Sequence, residues 1–303
     1  MKTVVIFGGS GFLGSHLIRR IAKNGHKIII PYKKKAYEEK LRLFGNIGQI
    51  IPFKFMSLKE KIISNILSKA DVVINLRTQW DEKNISYESG IEGFNIELVD
   101  ILKNSNPKAQ FIFFSGIAVE NDKFSIRSQS IYNSENYIQK NLINSVIVKP
   151  GIVIGGGDKF LKNLILTLKI FFIFPLFGKG LSKFQPIYVD DVSVGVNKII
   201  QNFEKGKHIF EFAGNEIFSY KYFFKLILSY SSLNRLIIPI PLILINSILF
   251  FLEKTPFSPL NREQLRLFKQ DNVASNKYKN LSNLNINPQN LREIIKKTIK
   301  KNI

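Results

Sequence analysis

The sequence predicts an α/β fold, a doubly wound parallel sheet with a smaller, mainly helical C-terminal lobe. Two observations predict it: the first half alternates short apolar runs with helical patterns, and the second half loses that alternation. A chain of 303 residues holds one large or two modest domains. We therefore predict a first domain over residues 1–150. The C-terminal lobe is predicted over residues 151–303, where it completes the sheet and forms the region that faces a substrate or partner.

Six short runs rich in β-branched and aromatic residues predict the strands. They are Thr3–Phe7, Lys27–Pro31, Ile50–Phe55, Asp71–Asn75, Gln110–Ser115 and Ser145–Pro150. Helical patterns between them predict helices over Phe12–Asn24, Leu58–Lys69, Gly90–Lys103 and Ile131–Asn141. Gly25 is a suitable stop for the first helix. Strands joined through helices run parallel, with helices on both faces of the sheet.

The second half contains Phe-rich helices and segments interrupted by proline. Its longest uncharged apolar run, Leu236–Leu252, contains two prolines and is shorter than the ~20 residues of a membrane-spanning helix. We interpret it as a short strand that ends in Pro-Ile-Pro, followed by an amphipathic helix. A last helix is predicted to open at Asn287-Pro288. Because Thr3–Phe7 already has the pattern of a buried strand, we expect no signal or transit peptide. Because the longest apolar run is too short, we expect no transmembrane span.

Composition excludes several kinds of site. The chain has no cysteine, which rules out disulfides, thiolate nucleophiles and Cys-ligated metal centres. Three scattered histidines give no pair at metal-ligand spacing, so we expect no metal site. The net charge is +21, from 44 Lys and Arg against 23 Asp and Glu. A codon bias toward lysine and a basic surface that attracts anionic lipid or phosphate are alternative explanations of this excess, and no segment has the signature of a nucleic-acid module.

A glycine-rich turn is the sharpest signal in the sequence. It follows the first strand, opens the first helix, and has the spacing G-x-x-G-x-x-G at Gly8, Gly11 and Gly14. Gly8 permits the tight turn, Gly11 lets a diphosphate approach the backbone, and Gly14 lets the helix pack closely on the sheet. This context predicts a Rossmann-type NAD(P)-binding domain. Its predicted phosphate-binding residues are Gly8, Ser10, Gly11, Phe12, Leu13 and Gly14.

The end of the second strand indicates which dinucleotide is bound. NAD-binding proteins commonly carry an acidic residue here, which accepts a hydrogen bond from the ribose 2′-hydroxyl. This chain instead reads Pro31-Tyr32-Lys33-Lys34-Lys35. Lysines attract a 2′-phosphate that a carboxylate would repel, so the pattern favours NADP(H) over NAD(H), with Lys33 as the contact. A solvated lysine run in a lysine-rich chain is the alternative.

Several longer fragments carry a family resemblance. The turn GGSGFLG, Ser115 at the end of the fifth strand and Tyr132 in a later helix resemble the extended and atypical short-chain dehydrogenase/reductase superfamily. The fragments IIIPYKKKAYE, ADVVINL, DKFLKN, FQPIYVDDVSVGV and REQLRLFKQDN resemble, within it, the NADPH-binding accessory subunits of respiratory complex I and their bacterial relatives. The resemblance runs from about residue 3 to about residue 290. It implies a tightly held NADPH and association with a membrane-embedded quinone-reducing complex, without turnover.

The same resemblance marks candidate catalytic positions. Active members use a tyrosine with a lysine four residues later, one helical turn away on the same face. Tyr132 occupies the tyrosine position and Ser115 the catalytic serine position, but Asn136 replaces the lysine, and Lys140 lies a further turn away. Acid–base assistance of this kind contributes about 10²–10⁴-fold in rate. The replacement therefore argues against ordinary hydride-transfer catalysis.

Four further residues depart from the family pattern or extend it. Met56 stands where the family commonly has an aspartate that contacts the adenine. Leu76 and Arg77 follow the fourth strand, where the family often has a glycine near the cofactor, and Arg77 is a candidate for a phosphate contact. The backbone at Pro150 is a further candidate contact, because the cofactor of the family passes the end of the sixth strand.

The sequence thus predicts a non-catalytic NADP(H)-binding accessory or assembly protein of respiratory complex I. We expect it to be cytoplasmic and peripheral on the inner face of the membrane. Tyr132 and Ser115 keep open the alternative of an NADP-dependent oxidoreductase or epimerase acting on a lipid-like or quinone-biosynthesis substrate. A scaffold that has lost its nucleotide and binds anionic membrane through its lysines is a third interpretation.

Overall fold

A computed structural model describes residues 1–33, 38–202, 205–241, 262–266 and 268–302. Lys34 and Lys35 of the predicted 2′-phosphate contact lie outside these ranges. The helix predicted after Pro-Ile-Pro lies outside them as well.

The strands are numbered in chain order. They are β1 (Thr3–Phe7), β2 (Lys27–Tyr32), β3 (Ile50–Lys54), β4 (Val72–Asn75), β5 (Gln110–Phe114), β6 (Ser145–Pro150), β7 (Val153–Ile154), β8 (Ile173–Phe177), β9 (Lys183–Phe184), β10 (Ile187–Tyr188), β11 (Lys207–Phe212), β12 (Phe218–Ser219) and β13 (Leu236–Ile240).

The helices are numbered in the same way. They are α1 (Phe12–Lys23), α2 (Glu38–Arg42), α3 (Lys61–Leu67), α4 (Phe94–Ser105), α5 (Ile126–Asn141), α6 (Lys159–Ile170), α7 (Val189–Gln201), α8 (Tyr220–Ser231), α9 (Arg262–Arg266) and α10 (Leu291–Asn302). A π-helix, Glu88–Gly93, precedes α4, and 3₁₀ turns lie at Val119–Asn121 and Leu281–Leu284.

A seven-stranded sheet in the order β11-β6-β5-β4-β1-β2-β3 forms the centre of the fold. Every neighbouring pair in it is parallel; Val4, for example, lies beside Ile28 on β2 and Val72 on β4. The strand order reverses beside β1, where β2 lies on one side and β4 on the other. The predicted doubly wound parallel sheet is confirmed. In such a sheet ligands bind beyond the carboxyl ends of the strands at this reversal, which is where the glycine turn lies.

The central strands are buried because helices cover both faces of the sheet. The side chains of Val4, Val5 and Ile6 are fully buried, as are Val73 and Ile74 of β4. Phe7, Phe111 and Phe113 pack in one core cluster with residues of α3, α4 and α5. Continuous apolar strands of this kind are what a parallel sheet covered on both faces requires.

The chain divides into two compact units. Unit 1 comprises residues 1–150, 189–212 and 276–287, and unit 2 comprises residues 151–188, 213–275 and 288–303. The predicted boundary at residue 150 is where unit 1 first ends, and later segments add α7, β11 and the 3₁₀ turn at Leu281–Leu284 to it. Within its described residues, unit 2 consists of four helices and three two-stranded sheets around a second, Phe-rich core cluster.

Several elements differ from the prediction. Strand β11 is not apparent in the sequence because charged residues interrupt KHIFEF. Helix α5 begins at Ile126 rather than Ile131, because the hydroxyl of Ser125 caps it by accepting from the Ser128 amide. Helix α10 begins at Leu291, later than the predicted start at Asn287-Pro288. Among the described residues, no helix combines the length and apolar character needed to cross a membrane.

Candidate functional site

The glycine turn between β1 and α1 packs tightly on its surroundings. Gly8 has a φ of +79°, in the left-handed region that favours glycine. A Cβ on Gly8 would lie 2.9 Å from the Arg77 amide nitrogen and 3.0 Å from the Leu76 carbonyl carbon. A Cβ on Gly14 would overlap the backbone of Gly9. These two glycines therefore hold the turn against the end of β4 and hold α1 against the turn.

Gly11 differs from both because the space in front of it is open. A Cβ there would meet only the Gly8 carbonyl oxygen, at 3.4 Å. Gly11 is also the N-cap of α1, and it has no side chain with which to cap the first helical amides. The first amides of a helix lack intrahelical acceptors and carry a partial positive charge. The turn is therefore an open cradle, and an anion placed against Gly11 would meet the first amides of α1.

The other predicted phosphate-binding residues lie around this cradle. Ser10 is exposed, and Phe12 and Leu13 are half-buried at the start of α1. The Phe12 ring packs edge-on against His16, one helical turn later, with ring centroids 5.5 Å apart. Because Phe12 and Leu13 begin the helix, their backbone amides are the nearest helical donors to the cradle.

Arg77 lies at the end of β4 beside Gly8. Its guanidinium is 3.7 Å from the centroid of the Phe94 ring, and its Nη1 is buried without a hydrogen-bond partner. Burial lowers the pKa of Arg77. A cavity of about 440 Å³ adjoins it, lined by residues of the 77–91 segment. A buried guanidinium nitrogen without a partner is costly, and an anion would satisfy it.

The backbone before Arg77 is held firmly in place. The Leu76 amide donates to the Phe7 carbonyl at 2.9 Å, and the Arg77 amide donates to Asn75 Oδ1 at 3.0 Å. Asn75 in turn donates to Asn95 Oδ1 at 2.7 Å, and both asparagines are buried. The position of Arg77 beside Gly8 therefore depends on buried hydrogen bonds between β4 and α4.

Lys33 follows the end of β2, where the 2′-phosphate contact is predicted. Its ammonium lies 5.6 Å from the centroid of the Phe55 ring, and the Phe55 amide donates to the Tyr32 carbonyl at 3.1 Å. Met56, which replaces the expected aspartate, is exposed. The described part of this edge therefore presents a cation held on an aromatic ring.

Tyr132 and Asn136 lie one turn apart on the exposed face of α5. Tyr132 is 40% exposed. Ser115 is oriented differently, because its hydroxyl donates to a carboxylate oxygen of Glu135, on the buried face of the same helix. The two predicted catalytic side chains thus belong to different environments.

A buried charge network, which the sequence prediction missed, lies at the ends of β5 and β6. The Lys149 ammonium is 3.0 Å from Glu135 Oε2 and 3.1 Å from Glu120 Oε2, and its side chain is only 3% exposed. Tyr278 donates to Glu120 Oε2 at 3.0 Å. The carbonyl of Pro150, the predicted backbone contact, accepts from the Ile117 amide at 3.2 Å. The network therefore joins β6, α5, the 3₁₀ turn after β5 and a segment far along the chain.

The electrostatics of this network follow from its stoichiometry of one cation to two carboxylates. Burial opposes the charge on Lys149, but Glu135 and Glu120 outweigh it and raise the pKa of Lys149. Burial raises the pKa of Glu135, against the opposing effect of Lys149. Two signals in the sequence could have revealed the pair of Lys149 and Glu135. Lys149 is the one charged residue of β6, and Glu135 lies on the same helical stripe as the apolar Ile131 and Ile138.

A comparison with protein-family models identifies the family. The model for the NAD dependent epimerase/dehydratase family matches residues 4–213. The chain belongs to this family. The match includes the glycine turn, Arg77, Tyr132 and Lys149, so the candidate site lies within the family domain.

Individual relatives confirm the narrower resemblance. The chain is 27% identical over 302 residues to "NADH dehydrogenase [ubiquinone] 1 alpha subcomplex subunit 9, mitochondrial" of Arabidopsis thaliana, covering 95% of this chain and 74% of the relative. It is 26% identical over 236 residues to the protein of the same name in Dictyostelium discoideum, covering 76% of this chain and 65% of the relative.

The solved structures agree on the fold. The NAD complex of dTDP-glucose 4,6-dehydratase from Bacillus anthracis matches with a TM-score of 0.73 and 13% identity, over 99% of this chain and 96% of that one. This similarity supports the family fold.

Removing Lys149 tests the charge network. We expect Lys149→Met to lower the free energy of unfolding by about 3–5 kcal/mol, because it leaves the buried Glu135 carboxylate and the half-buried Glu120 carboxylate without their cation. Without Lys149 the folded-state pKa of Glu135 rises further above its unfolded value, so folding takes up protons and stability increases as pH falls. In urea titrations, the deficit relative to wild type should be larger at about pH 8 than at about pH 5.

Two companion variants complete that measurement. Lys140→Met removes an exposed lysine on α5 and should leave the urea midpoint unchanged. Adding Glu135→Gln to Lys149→Met should recover part of the lost stability. A deficit that is equal for the Lys140 and Lys149 variants, or that does not vary with pH, would contradict the assignment.

Proposed function

We propose that the protein binds a nicotinamide dinucleotide, NADP(H) in preference to NAD(H). We further propose that it serves as a non-catalytic accessory or assembly protein of respiratory complex I (NADH:ubiquinone oxidoreductase). The observation that carries the proposal is the open cradle at Gly11, at the uncapped start of α1. The family match and the named complex I relatives support it.

The diphosphate would lie against Gly11 and the first amides of α1. Helix amides and their partial positive charge favour a phosphate at this position. The backbone of Arg77 lies beside Gly8, and its guanidinium has a buried nitrogen without a partner, so this residue would supply a full positive charge. When bound, the dinucleotide supplies a nicotinamide able to exchange hydride.

We assign the proposed preference for NADP(H) to Lys33. Its ammonium follows β2, at the position from which Rossmann proteins contact the ribose 2′ substituent. Contact with the Phe55 ring holds this long side chain at the edge of the sheet. A 2′-phosphate would gain a charge-assisted hydrogen bond there.

The absence of turnover is proposed from the surroundings of Tyr132. Asn136, one turn later on the same exposed face, is an amide and supplies no charge that would lower the pKa of a phenol. Ser115 is engaged by Glu135 on the buried face of the helix. The network of Lys149 thus stabilises the fold instead of activating Tyr132.

Filling the cradle tests dinucleotide binding. We expect Gly11→Val to raise the Kd for NADPH by at least about tenfold, because the new side chain would occupy the space in which the diphosphate lies. Gly156→Val is the matched control, since a Cβ on Gly156 meets no atom within 4 Å. Isothermal titration calorimetry measures both variants. Equal Kd values for the two would contradict the assignment of the cradle.

Reversing the charge of Lys33 tests the choice of dinucleotide. We expect Lys33→Glu to reduce the affinity for NADPH relative to NADH by about tenfold, because a carboxylate repels the 2′-phosphate and accepts from a 2′-hydroxyl. Lys27→Glu reverses a charge at the opposite end of the same strand and should leave the ratio of the two Kd values unchanged. A ratio unaffected by Lys33→Glu would assign the NADPH preference to other residues.

A second candidate function is an NADP-dependent oxidoreductase or epimerase acting on a lipid-like or quinone-biosynthesis substrate. Tyr132 and its exposed position favour it, because a phenol at the surface is accessible to a large apolar molecule. The accessory role predicts that Tyr132→Phe leaves cellular quinone levels and complex I assembly unchanged. A fall in quinone levels with complex I intact would instead establish the enzyme.

A further inference from the structure

Helix α6, in unit 2, has one buried face and one exposed face. Leu161, Leu164, Ile165 and Leu168 are buried in the core cluster of the unit. The opposite face is exposed over its whole length. Its exposed residues are Lys159, Lys162, Asn163, Leu166, Lys169 and Ile170.

The exposed face continues into an apolar tip after the helix. Phe171 and Phe172 are 56% and 67% exposed, and Ile173 is 51% exposed. Leu236 pairs with Ile173 across the β8–β13 ladder and is also exposed. We call this the α6–β8 surface, formed by Leu166, Ile170, Phe171, Phe172, Ile173 and Leu236. Large apolar side chains exposed together mark a site of interaction, whereas single ones do not.

The tip is held in position by Arg235. Its Nε donates to the Leu168 carbonyl at 2.6 Å, and its guanidinium lies 5.9 Å from the centroid of the Phe172 ring. The carbonyl of Phe172 accepts from the Leu236 amide at 3.1 Å. The exposed aromatic side chains are thus presented by an ordered turn that is bonded on both sides.

The exposed charged side chains of the described stretch 158–173 are all basic. The exposed face of α6 carries three lysines, and Arg235 lies beside the tip. Within α6 and its N-cap, a stretch that the structure describes completely, the one acidic residue is Asp158. It is buried, and its carboxylate accepts from the Leu161 and Gly155 amides. A ligand that covers this surface must therefore be apolar in the middle and anionic around it.

An anionic bilayer has that chemistry. Helices that lie in the membrane interface combine lysines on one side with Phe, Leu and Ile that enter the acyl region. Lysines near an anionic leaflet add electrostatic attraction to this apolar contact. A second copy of the chain, with a net charge of +21, would instead bring like charges together.

We propose that the α6–β8 surface binds the interface of a membrane that contains anionic lipids, with Phe171 and Phe172 inserted among the acyl chains. This proposal identifies the surface by which the protein contacts the membrane, and it rests on the proposed accessory role at a membrane complex. The contact itself does not require the dinucleotide. Vesicle binding and dinucleotide binding can therefore be tested separately, and either proposal can fail without the other.

Flotation with vesicles tests the proposal on the full chain. We expect binding to vesicles of phosphatidylcholine mixed with phosphatidylglycerol, and weaker binding to pure phosphatidylcholine. Replacing both phenylalanines, as Phe171→Ser with Phe172→Ser, should weaken binding by at least about tenfold. Reversing two lysines, as Lys162→Glu with Lys169→Glu, should also weaken it and should reduce its sensitivity to salt.

Matched controls lie in unit 1. Phe124→Ser removes an aromatic side chain that is 84% exposed, and Lys140→Glu reverses an exposed lysine; both should leave vesicle binding unchanged. The NADPH Kd and the urea midpoint should be the same in all variants. Loss of vesicle binding with NADPH binding intact supports the proposal.

Three results would overturn it. The first is vesicle binding by wild type that does not depend on phosphatidylglycerol. The second is an equal loss of vesicle binding in the control and the surface variants. The third is a wild type that binds no vesicles but sediments as a dimer, which the two Phe→Ser changes dissociate. If wild type binds vesicles but does not bind NADPH, the dinucleotide proposal is refuted and the membrane proposal stands.

Discussion

The contact between the β1–α1 turn and the end of β4 determines the geometry of the candidate site. Gly8 approaches the Leu76 and Arg77 backbone so closely that a single Cβ would force them apart. Because of this contact, the start of α1 and the backbone of Arg77 lie at the same edge of the sheet. Asn75 and Asn95 hold that edge through buried hydrogen bonds. The proposed binding of a diphosphate depends on this packing, since neither a helix start nor one arginine alone makes a specific site.

The edge at β5 and β6 has a different character. There the charged groups are already paired, Lys149 with Glu135 and Glu120, and the Ser115 hydroxyl donates to Glu135. Forming a buried ion pair requires desolvation of both charges, and removing one partner strongly destabilises the folded protein. The contrast between an open cradle at one edge and a closed network at the other supports our proposal of a protein that holds a dinucleotide without using it. Phenol chemistry would need a cation beside Tyr132, and the neighbour on its face is Asn136.

The parts of the fold that sequence could predict are those fixed by local pattern. β1, the glycine turn and α1 follow one another directly. The strand is specified by its apolar run, the turn by its glycines, and the helix by its helical spacing of apolar residues. β11 was missed because its burial comes from pairing with β6, some sixty residues earlier, and not from an apolar sequence of its own. The π-helix before α4 and the earlier start of α5 likewise depend on packing and on one serine cap.

The candidate site shows the same division. The residues of the cradle are neighbours in sequence, so their spacing predicts their geometry. Lys149, Glu120 and Tyr278 come from distant segments, and their partners could not be paired from sequence alone. Whether Tyr132 faces Ser115 depends on which stripe of α5 is buried. That stripe is set by Ile131, Glu135 and Ile138 packing on the sheet.

Native mass spectrometry of the protein, purified without added nucleotide, tests the central claim most directly. Our account predicts one NADPH per chain, retained through purification and still reduced after incubation with a short-chain quinone. A spectrum showing only the bare polypeptide, unchanged after NADPH or NADH is added, would contradict it.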